Sequence, residues 1–405
     1  LEDWRSLDER YMMSTYSRLP IAIAKGEGNY LYDVEGKSYL DLFTGLAVSV
    51  LGHSHPAIVR ALHEQGEKFL HISNIFLNTP AITLAQRLVE QSLGTARVFF
   101  TNSGAEATEA AIKLIHKWTA QHGGGRRGIV VLKNSFHGRT LGALRLTRQA
   151  HVYQDFPQPD FPVYEIEVGN IDELRAVCKD KQPAAVLMEP VLGSGGVIPL
   201  EESYLQAVEQ IAREHGTLVV IDEIQTGMGR TGRFFAYQHA GITPDLILFA
   251  KGVGGGLPLG GIIANEKLMN LFKPGDHGTT FAPAPLSAAL GNAVLDVVLD
   301  EAFVQQSQDN ANYLWTRIQT LVDQHPELFS EIRGKGMMLG IQTKLSPEQA
   351  RHLQQDLLDQ GILVDITQKT IVRLLPPLTL TQADIDRFLE VFGQSLSKLV
   401  QEKGA

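Results

Sequence analysis

Between residues 96 and 251 the sequence repeats one pattern: a short apolar run, a polar residue at its end, then a stretch of helical periodicity. The runs are ARVFFTN, GIVVLKN, AAVLMEP, TLVVIDE and DLILFAK, and a helix is expected over Tyr204 to His215. Apolar runs too short for helices and too continuous to have a wet face imply parallel strands covered on both sides. The expected fold is therefore α/β, a mostly parallel sheet flanked by helices. Beyond about residue 300 the texture shifts to helices such as NANYLWTRIQTLVDQ with strand-like GMMLGIQT and TIVRLLPP, and the start holds GEGNYLYDVEGKSYLDL. The chain is accordingly divided into 1–45, which joins a smaller α+β domain, 46–298, the large domain, and 299–405, the rest of the small domain. The tract HGGGRRG, residues 122–128, reads as a turn.

In a parallel α/β sheet, ligands sit at the carboxyl ends of the strands. Here those ends carry chemistry. VFF stops at Thr101, Asn102 and Ser103; VLM at Glu189; LVVI at Asp222 and Glu223; LILFA at Lys251. A lysine at the tip of an apolar strand is poorly solvated, which lowers its pKa and favours a neutral, nucleophilic amine. Glycines 252, 254, 255 and 256 follow it and would let a planar ligand approach the backbone. A lone lysine would more simply snorkel to solvent. Asp222 changes the balance, because it lies 251 − 222 = 29 residues earlier, the length of one strand, a connection and a second strand. An amine and a carboxylate so placed are the two groups that pyridoxal phosphate requires. TNSGAEATEAAIKLIHKW adds a strand end, a Ser-Gly-Ala turn and a helix start suited to a phosphate. Ser103 and Glu106 also match the capping box S-x-x-E.

GMGRTG, residues 227–232, with Asp245 beyond it, matches the dinucleotide fingerprint G-x-G-x-x-G. That fingerprint should leave a strand directly, whereas five residues, 222–226, intervene. His53 and His55 in GHSHP lack the companions of a metal site and are expected in a turn before a helix. No metal is expected. The 405 residues carry 36 basic and 45 acidic side chains, a net charge of −9, which argues against nucleic acid as a partner. No run suggests a membrane span, and LEDWRSLDERYMM lacks the layout of a secretory signal. The single Cys178 excludes an internal disulfide and fits a reducing, cytoplasmic setting.

Taken in order, NSGAEATEAA, NSFHGRTLGAL, LMEPV, VVIDEIQTGMGRTG, LFAKGVGGGLPLGG and HGTTF resemble the class III aminotransferases, pyridoxal-phosphate enzymes of fold type I. TYSRLP, GEGNYLYDVEGKSYLD, GHSHP and RGKGMMLG make the acetylornithine branch the most similar. The resemblance implies that Lys251 holds the cofactor covalently and shuttles protons, and that Asp222 binds its ring nitrogen. It implies that Gln225 bonds the ring hydroxyl side and that Phe136 and Ile224 sandwich the ring. Ser103, Gly104 and Ala105 would hold the phosphate, reached also by Thr280 from the partner of a homodimer. Glu189 would order the surroundings of the bound cofactor. Arg139, Tyr16 and Arg373 would bind substrate. The reaction implied transfers the terminal amino group of N-acetylornithine to 2-oxoglutarate. Succinylornithine, succinyl-diaminopimelate, 4-aminobutyrate and other ω-amino donors stay open, as do a dehydrogenase built on GMGRTG and a catalytically silent relative.

Two positions depart from the family pattern. VLGSGGV carries Ser194 where an acid usually pairs with an arginine matching Arg373, so Arg373 is either paired elsewhere or constantly available to carboxylates. FAPAPL carries Ala284 where the family usually has asparagine.

Overall fold

The computed structural model describes residues 2–122 and 124–404, so Gly123 of the HGGGRRG tract lies outside the described residues. In chain order the strands are β1 (Ile23–Glu27), β2 (Tyr30–Asp33), β3 (Ser38–Asp41), β4 (Ala96–Thr101), β5 (Ile129–Leu132), β6 (Val163–Ile166), β7 (Ala185–Met188), β8 (Val191–Leu192), β9 (Ile198–Pro199), β10 (Leu218–Asp222), β11 (Leu246–Phe249), β12 (Gly260–Asn265), β13 (Phe329–Lys335), β14 (Met338–Thr343), β15 (Ile362–Leu363), β16 (Asp365–Thr367) and β17 (Ile371–Leu374).

Seven of them form one sheet in the order β4-β12-β11-β10-β7-β5-β6. The contiguous block from β11 to β6 is parallel, with Asp222 in register with Leu248 and Val219 with Val186. β12 alone runs the other way, antiparallel to both β11 and β4. The chain from Lys251 to Leu259 therefore turns back instead of crossing over. Within β12, Gly261 leaves room for the neighbouring strands, since a Cβ there would stand 2.5 Å from the Phe99 carbonyl oxygen of β4. Residues such as Val130, Val186, Ile221 and Ile247 are buried on one side of the sheet, and Val131, Leu187, Val220 and Leu248 on the other, so both faces are covered. Between strands the helices end where the sequence lets them: Glu202–His215 stops at Gly216, whose φ of 64° is left-handed.

A second core joins both chain ends. Leu40 and Leu42 pack with Leu314, Leu339, Ile341, Phe388 and Phe392, and β3 pairs in parallel with β15. The four-stranded sheet β13-β14-β17-β16 completes this unit. Along β14 and β17 side chains alternate in their burial: Leu339, Ile341, Val372 and Leu374 enter the second core, whereas Met338 and Leu375 face Val191 and Val197 beside the seven-stranded sheet. Among the described residues no helix is long and apolar enough to cross a membrane.

Candidate active site

A cavity of about 730 Å³ opens at the carboxyl edge of the seven-stranded sheet. Asn102, Ser103, Glu189, Asp222 and Lys251 line it, supplied by the ends of the four strands β4, β7, β10 and β11 or the turns after them. Gly104, Ala105, Phe136, Arg139, Ile224, Gln225 and Tyr16 line it as well. Thr280 does not; within its own chain it sits by His71, Ser73 and Asn74 in a separate surface pocket. Arg373 stands behind the wall and is buried.

Lys251 follows Ala250 at the end of β11 and opens a short 3-10 turn, Lys251–Gly254, with φ of 52°, an unusual left-handed backbone for a lysine. At that turn the lysine lines the cavity. Burial depresses the amine pKa to about 8, with the positive field of Arg373 adding to the effect and Asp222 and Glu189 opposing it. Asp222 is buried, and its two oxygens are already engaged: Oδ1 accepts from the Ile224 amide at 3.0 Å and Oδ2 pairs with His137 Nδ1 at 2.7 Å. Each carboxylate oxygen has a second lone pair, so the group can still accept from a ring N–H in the cavity. Glu189 acts as a clamp, accepting from Phe136 N at 3.0 Å and from Gly193 N at 3.1 Å. Burial raises its carboxyl pKa.

His137 was not singled out by sequence reasoning. It lies between Phe136 and Arg139, fully buried, and Thr147 Oγ1 accepts from its amide at 3.1 Å. Its signal was available, because a histidine in NSFHGRT after a strand end is within reach of a neighbouring strand's acid, yet that contact depends on β5 and β10 flanking β7. Asn102, one of the polar residues expected at the end of β4, lines the cavity, and its Nδ2 donates to Thr279 Oγ1 at 2.9 Å; Gln149 also lines it, unforeseen as a site residue.

The helix Gly104–His122 starts directly behind β4. Ser103 Oγ accepts from Glu106 N at 3.2 Å, while Glu106 Oε2 accepts from Asn102 N at 2.7 Å, so the reciprocal half of the expected capping box reaches one residue further back. The first-turn amides of Gly104 and Ala105 have no intrahelical acceptor and border the cavity. A Cβ on Gly104 would meet Ile224 Cδ1 at 2.9 Å, so glycine is what lets the helix start and the Ile224 side chain approach so closely. Gln225 Oε1 is buried without a hydrogen-bond partner at the same wall. A helix start for an anion, a carboxylate for a ring nitrogen, a poorly solvated amine and an orphaned amide oxygen form a donor set that fits pyridoxal 5'-phosphate.

The other sequence features fall elsewhere. GMGRTG follows the 222–226 turn and continues through further turns into the short 3-10 helix Ala236–His239, so no strand feeds it and no long helix leaves it. Its Arg230 is wholly buried and donates from Nη1 to the carbonyls of Met337 (3.0 Å) and Pro376, tying the second unit to the first. Burial lowers its pKa to about 9. His55 caps the helix Pro56–Gly66, and His53 Nε2 lies 2.8 Å from Asp41 Oδ2. The described residues contain no group of three or more metal-ligating side chains. Cys178 is buried in the core. Ala284 is the N-cap of Pro285–Val298 and makes no side-chain cap bond; Asn74 and Asn78 instead hold the preceding loop, donating to the carbonyls of Thr279, Ala282 and Pro283. Arg373 is paired after all: Nε and Nη2 both donate to Asp365 Oδ2, at 2.8 and 2.6 Å.

The model of the family described as aminotransferase class-III matches residues 11–396. The chain belongs to that family. The acetylornithine aminotransferase of Caldanaerobacter subterraneus subsp. tengcongensis is 40% identical over 97% of this chain and 98% of its own length. That of Mycobacterium leprae is 41% identical, over 98% and 96%. Among solved structures, the acetylornithine aminotransferase of Elizabethkingia anophelis superposes with a TM-score of 0.87 at 32% identity, covering 98% of this chain and 99% of that one. The ornithine aminotransferase of Toxoplasma gondii reaches a TM-score of 0.93 at 28% identity, over 99% and 96%. Class-III aminotransferases are pyridoxal-phosphate enzymes of fold type I, and this chain has that fold and depends on that cofactor.

Proposed function

We propose that this aminotransferase moves the terminal amino group of N-acetylornithine to 2-oxoglutarate, leaving N-acetylglutamate semialdehyde and glutamate. The observation that carries the reading is the convergence of Lys251, Asp222, Glu189 and the Ser103–Ala105 helix start on one cavity, in a chain 36–41% identical to acetylornithine aminotransferases over nearly its full length. When bound, pyridoxal 5'-phosphate supplies an aldehyde to accept nitrogen and a ring to accept electrons.

The protein's residues do the rest. Lys251 would hold the cofactor and would serve as the carrier of the proton at the reacting carbon; an amine whose pKa burial lowers to about 8 can both give and take one near neutral pH. Asp222, held by His137 and the Ile224 amide, keeps the ring nitrogen protonated. Phe136 and Ile224 enclose the ring, Gln225 takes the side of its hydroxyl, and Ser103, Gly104 and Ala105 take the phosphate. Glu189 keeps Phe136 and Gly193 in place. Tyr16 and Arg139 lie toward solvent, where substrate enters; the Arg139 guanidinium sits 5.7 Å from the Phe136 ring centroid, flat enough to grip a carboxylate with two prongs. Thr280 belongs to the phosphate site of a partner subunit. A homodimer would cover Ile75, Phe76, Leu77 and Phe281, which are 83, 63, 85 and 65% exposed beside that loop. The setting we infer is the cytoplasm.

The test is to load the protein with pyridoxal phosphate and add N-acetylornithine, succinylornithine, ornithine and 4-aminobutyrate singly, following loss of visible absorbance. N-acetylornithine is expected to discharge it fastest; a faster rival would reassign the donor. In Arg139→Ala, loss of a charge-assisted bond raises KM by about 10- to 100-fold with the visible absorbance retained. An unchanged KM for donor and acceptor alike would remove Arg139 from the binding site.

A further inference from the structure

Arg373 is a buried cation with unequal partners. In register, Gly340 of β14, Arg373 of β17 and Asp365 of β16 form one row across the sheet. Directly opposed residues point to the same face. The next positions along that face, Met338 and Leu375, pack on Val191 and Val197, and Thr367, two residues after Asp365, donates from Oγ1 to the Ser194 carbonyl at 3.2 Å. Val191 and Ser194 line the cavity. Arg373 thus stands one layer behind the cavity wall, given room by the missing side chain of Gly340, whose Cβ would otherwise press on Val197 at 2.9 Å. Its charge reaches Lys251, for which it is the strongest neighbouring charge.

Two of the guanidinium nitrogens, Nε and Nη2, are taken by a single oxygen of Asp365, while Nη1 is buried with no partner. An unpartnered, charged N–H in a protein interior is costly unless something arrives to accept from it. Ser194 on the wall has a hydroxyl but no charge, so the acid facing Arg373 comes from the small unit's own hairpin.

We infer that Asp365 is a specificity-determining residue, which ties Arg373 by Nε and Nη2 behind the cavity wall, so that a substrate carboxylate must draw the unpaired Nη1 toward the cavity against that tie, and which thereby limits how tightly a dicarboxylate is gripped. This rests on the transaminase reading above. A carboxylate that enters either accepts from Nη1 alone or displaces Asp365 to gain the two-pronged geometry that guanidinium otherwise provides. Because Asp365 keeps part of its side chain in contact with solvent, about 23% exposed, displacement does not bury an unpaired acid. Acceptor would be held loosely enough for its amino product, which carries the same two carboxylates, to leave.

The probe is glutarate, an unreactive dicarboxylate, titrated calorimetrically into the holoenzyme. Asp365→Asn and Asp365→Ser are expected to bind it about fivefold or more tightly than the unaltered protein. Asp365→Glu, which keeps the acid, stays within about twofold. The gain vanishes when Arg373→Gln is added. In steady state the change appears as a lower KM for 2-oxoglutarate and not as a higher kcat, a split that a merely structural role would not produce. Glutarate affinity unchanged or weakened in both neutral variants, or a gain that survives Arg373→Gln, overturns the inference. Should no donor discharge the cofactor, the transaminase reading fails on its own, because the glutarate titration needs no turnover.

Discussion

Lys251→Ala lowers transamination by at least about 10²- to 10⁴-fold, the loss typical of removing a positioned proton-transfer group, while the protein still takes up pyridoxal phosphate reversibly. Both halves follow from the geometry. The phosphate and ring contacts proposed for Ser103, Gly104, Ala105, Asp222 and Gln225 do not involve the amine, so affinity falls without vanishing. The proton carrier proposed here, by contrast, has no substitute, since Glu189 is spent on the Phe136 and Gly193 amides and His137 on Asp222. Borohydride should fix the cofactor on Lys251 in the unaltered protein and nowhere in the variant. The amine's acidity can be tested without cofactor. With its pKa lowered by burial from 10.5 to about 8, the neutral fraction rises with pH through about 8 and then levels off. Trace labelling of the cofactor-free protein with fluorodinitrobenzene should therefore show Lys251 reactivity reaching a plateau near pH 9, while exposed lysines are still climbing. Turnover by Lys251→Ala within tenfold of normal would end the assigned role.

Why Lys251 and Asp222 were legible in sequence while His137 and Asp365 were not is a matter of range. Strand-end polarity is a local signal: an apolar run, then one polar residue, then glycine or a helix. The parallel-sheet rule turns that signal into a shared edge without knowledge of strand order. The pairing of His137 with Asp222 needs the order β10-β7-β5, and that of Asp365 with Arg373 needs the β16–β17 register, in which a shift of one residue would point the acid to the other face. The antiparallel β12 was hidden for a related reason. GGIIAN is a short apolar run like its neighbours, and only the tight return through Leu257 and Pro258 reverses it. Arg230 shows the opposite failure. Inside GMGRTG it looks like a spacer between glycines, yet it is among the largest fully buried side chains and joins the two units. Glycines at 227, 229 and 232 there serve turns, Gly229 and Gly232 with φ of 85° and 95°, and owe nothing to a dinucleotide.

Asp222→Asn is expected to reduce kcat by about 10²- to 10³-fold, the loss found when a preorganised electrostatic partner of the reacting group is removed. The substitution preserves size, and its amide oxygen can keep the Ile224 N–H bond that Asp222 Oδ1 accepts at 3.0 Å. What it removes is charge at the place proposed for the ring nitrogen, which needs that charge to stay protonated. It also disturbs His137, because an amide NH₂ facing Nδ1 requires the other imidazole tautomer, with the proton on Nε2, an atom already buried without a partner. Two consequences separate these effects. Loss of ring protonation slows the step at the substrate carbon and leaves donor KM close to normal, whereas a displaced His137 would loosen the Phe136–Arg139 segment and raise KM. His137→Gln, which can still donate to the carboxylate, should accordingly lose far less than Asp222→Asn. Were the two variants equally impaired, or Asp222→Asn within tenfold of the unaltered enzyme, the carboxylate would be serving the fold of this corner and not the cofactor's ring.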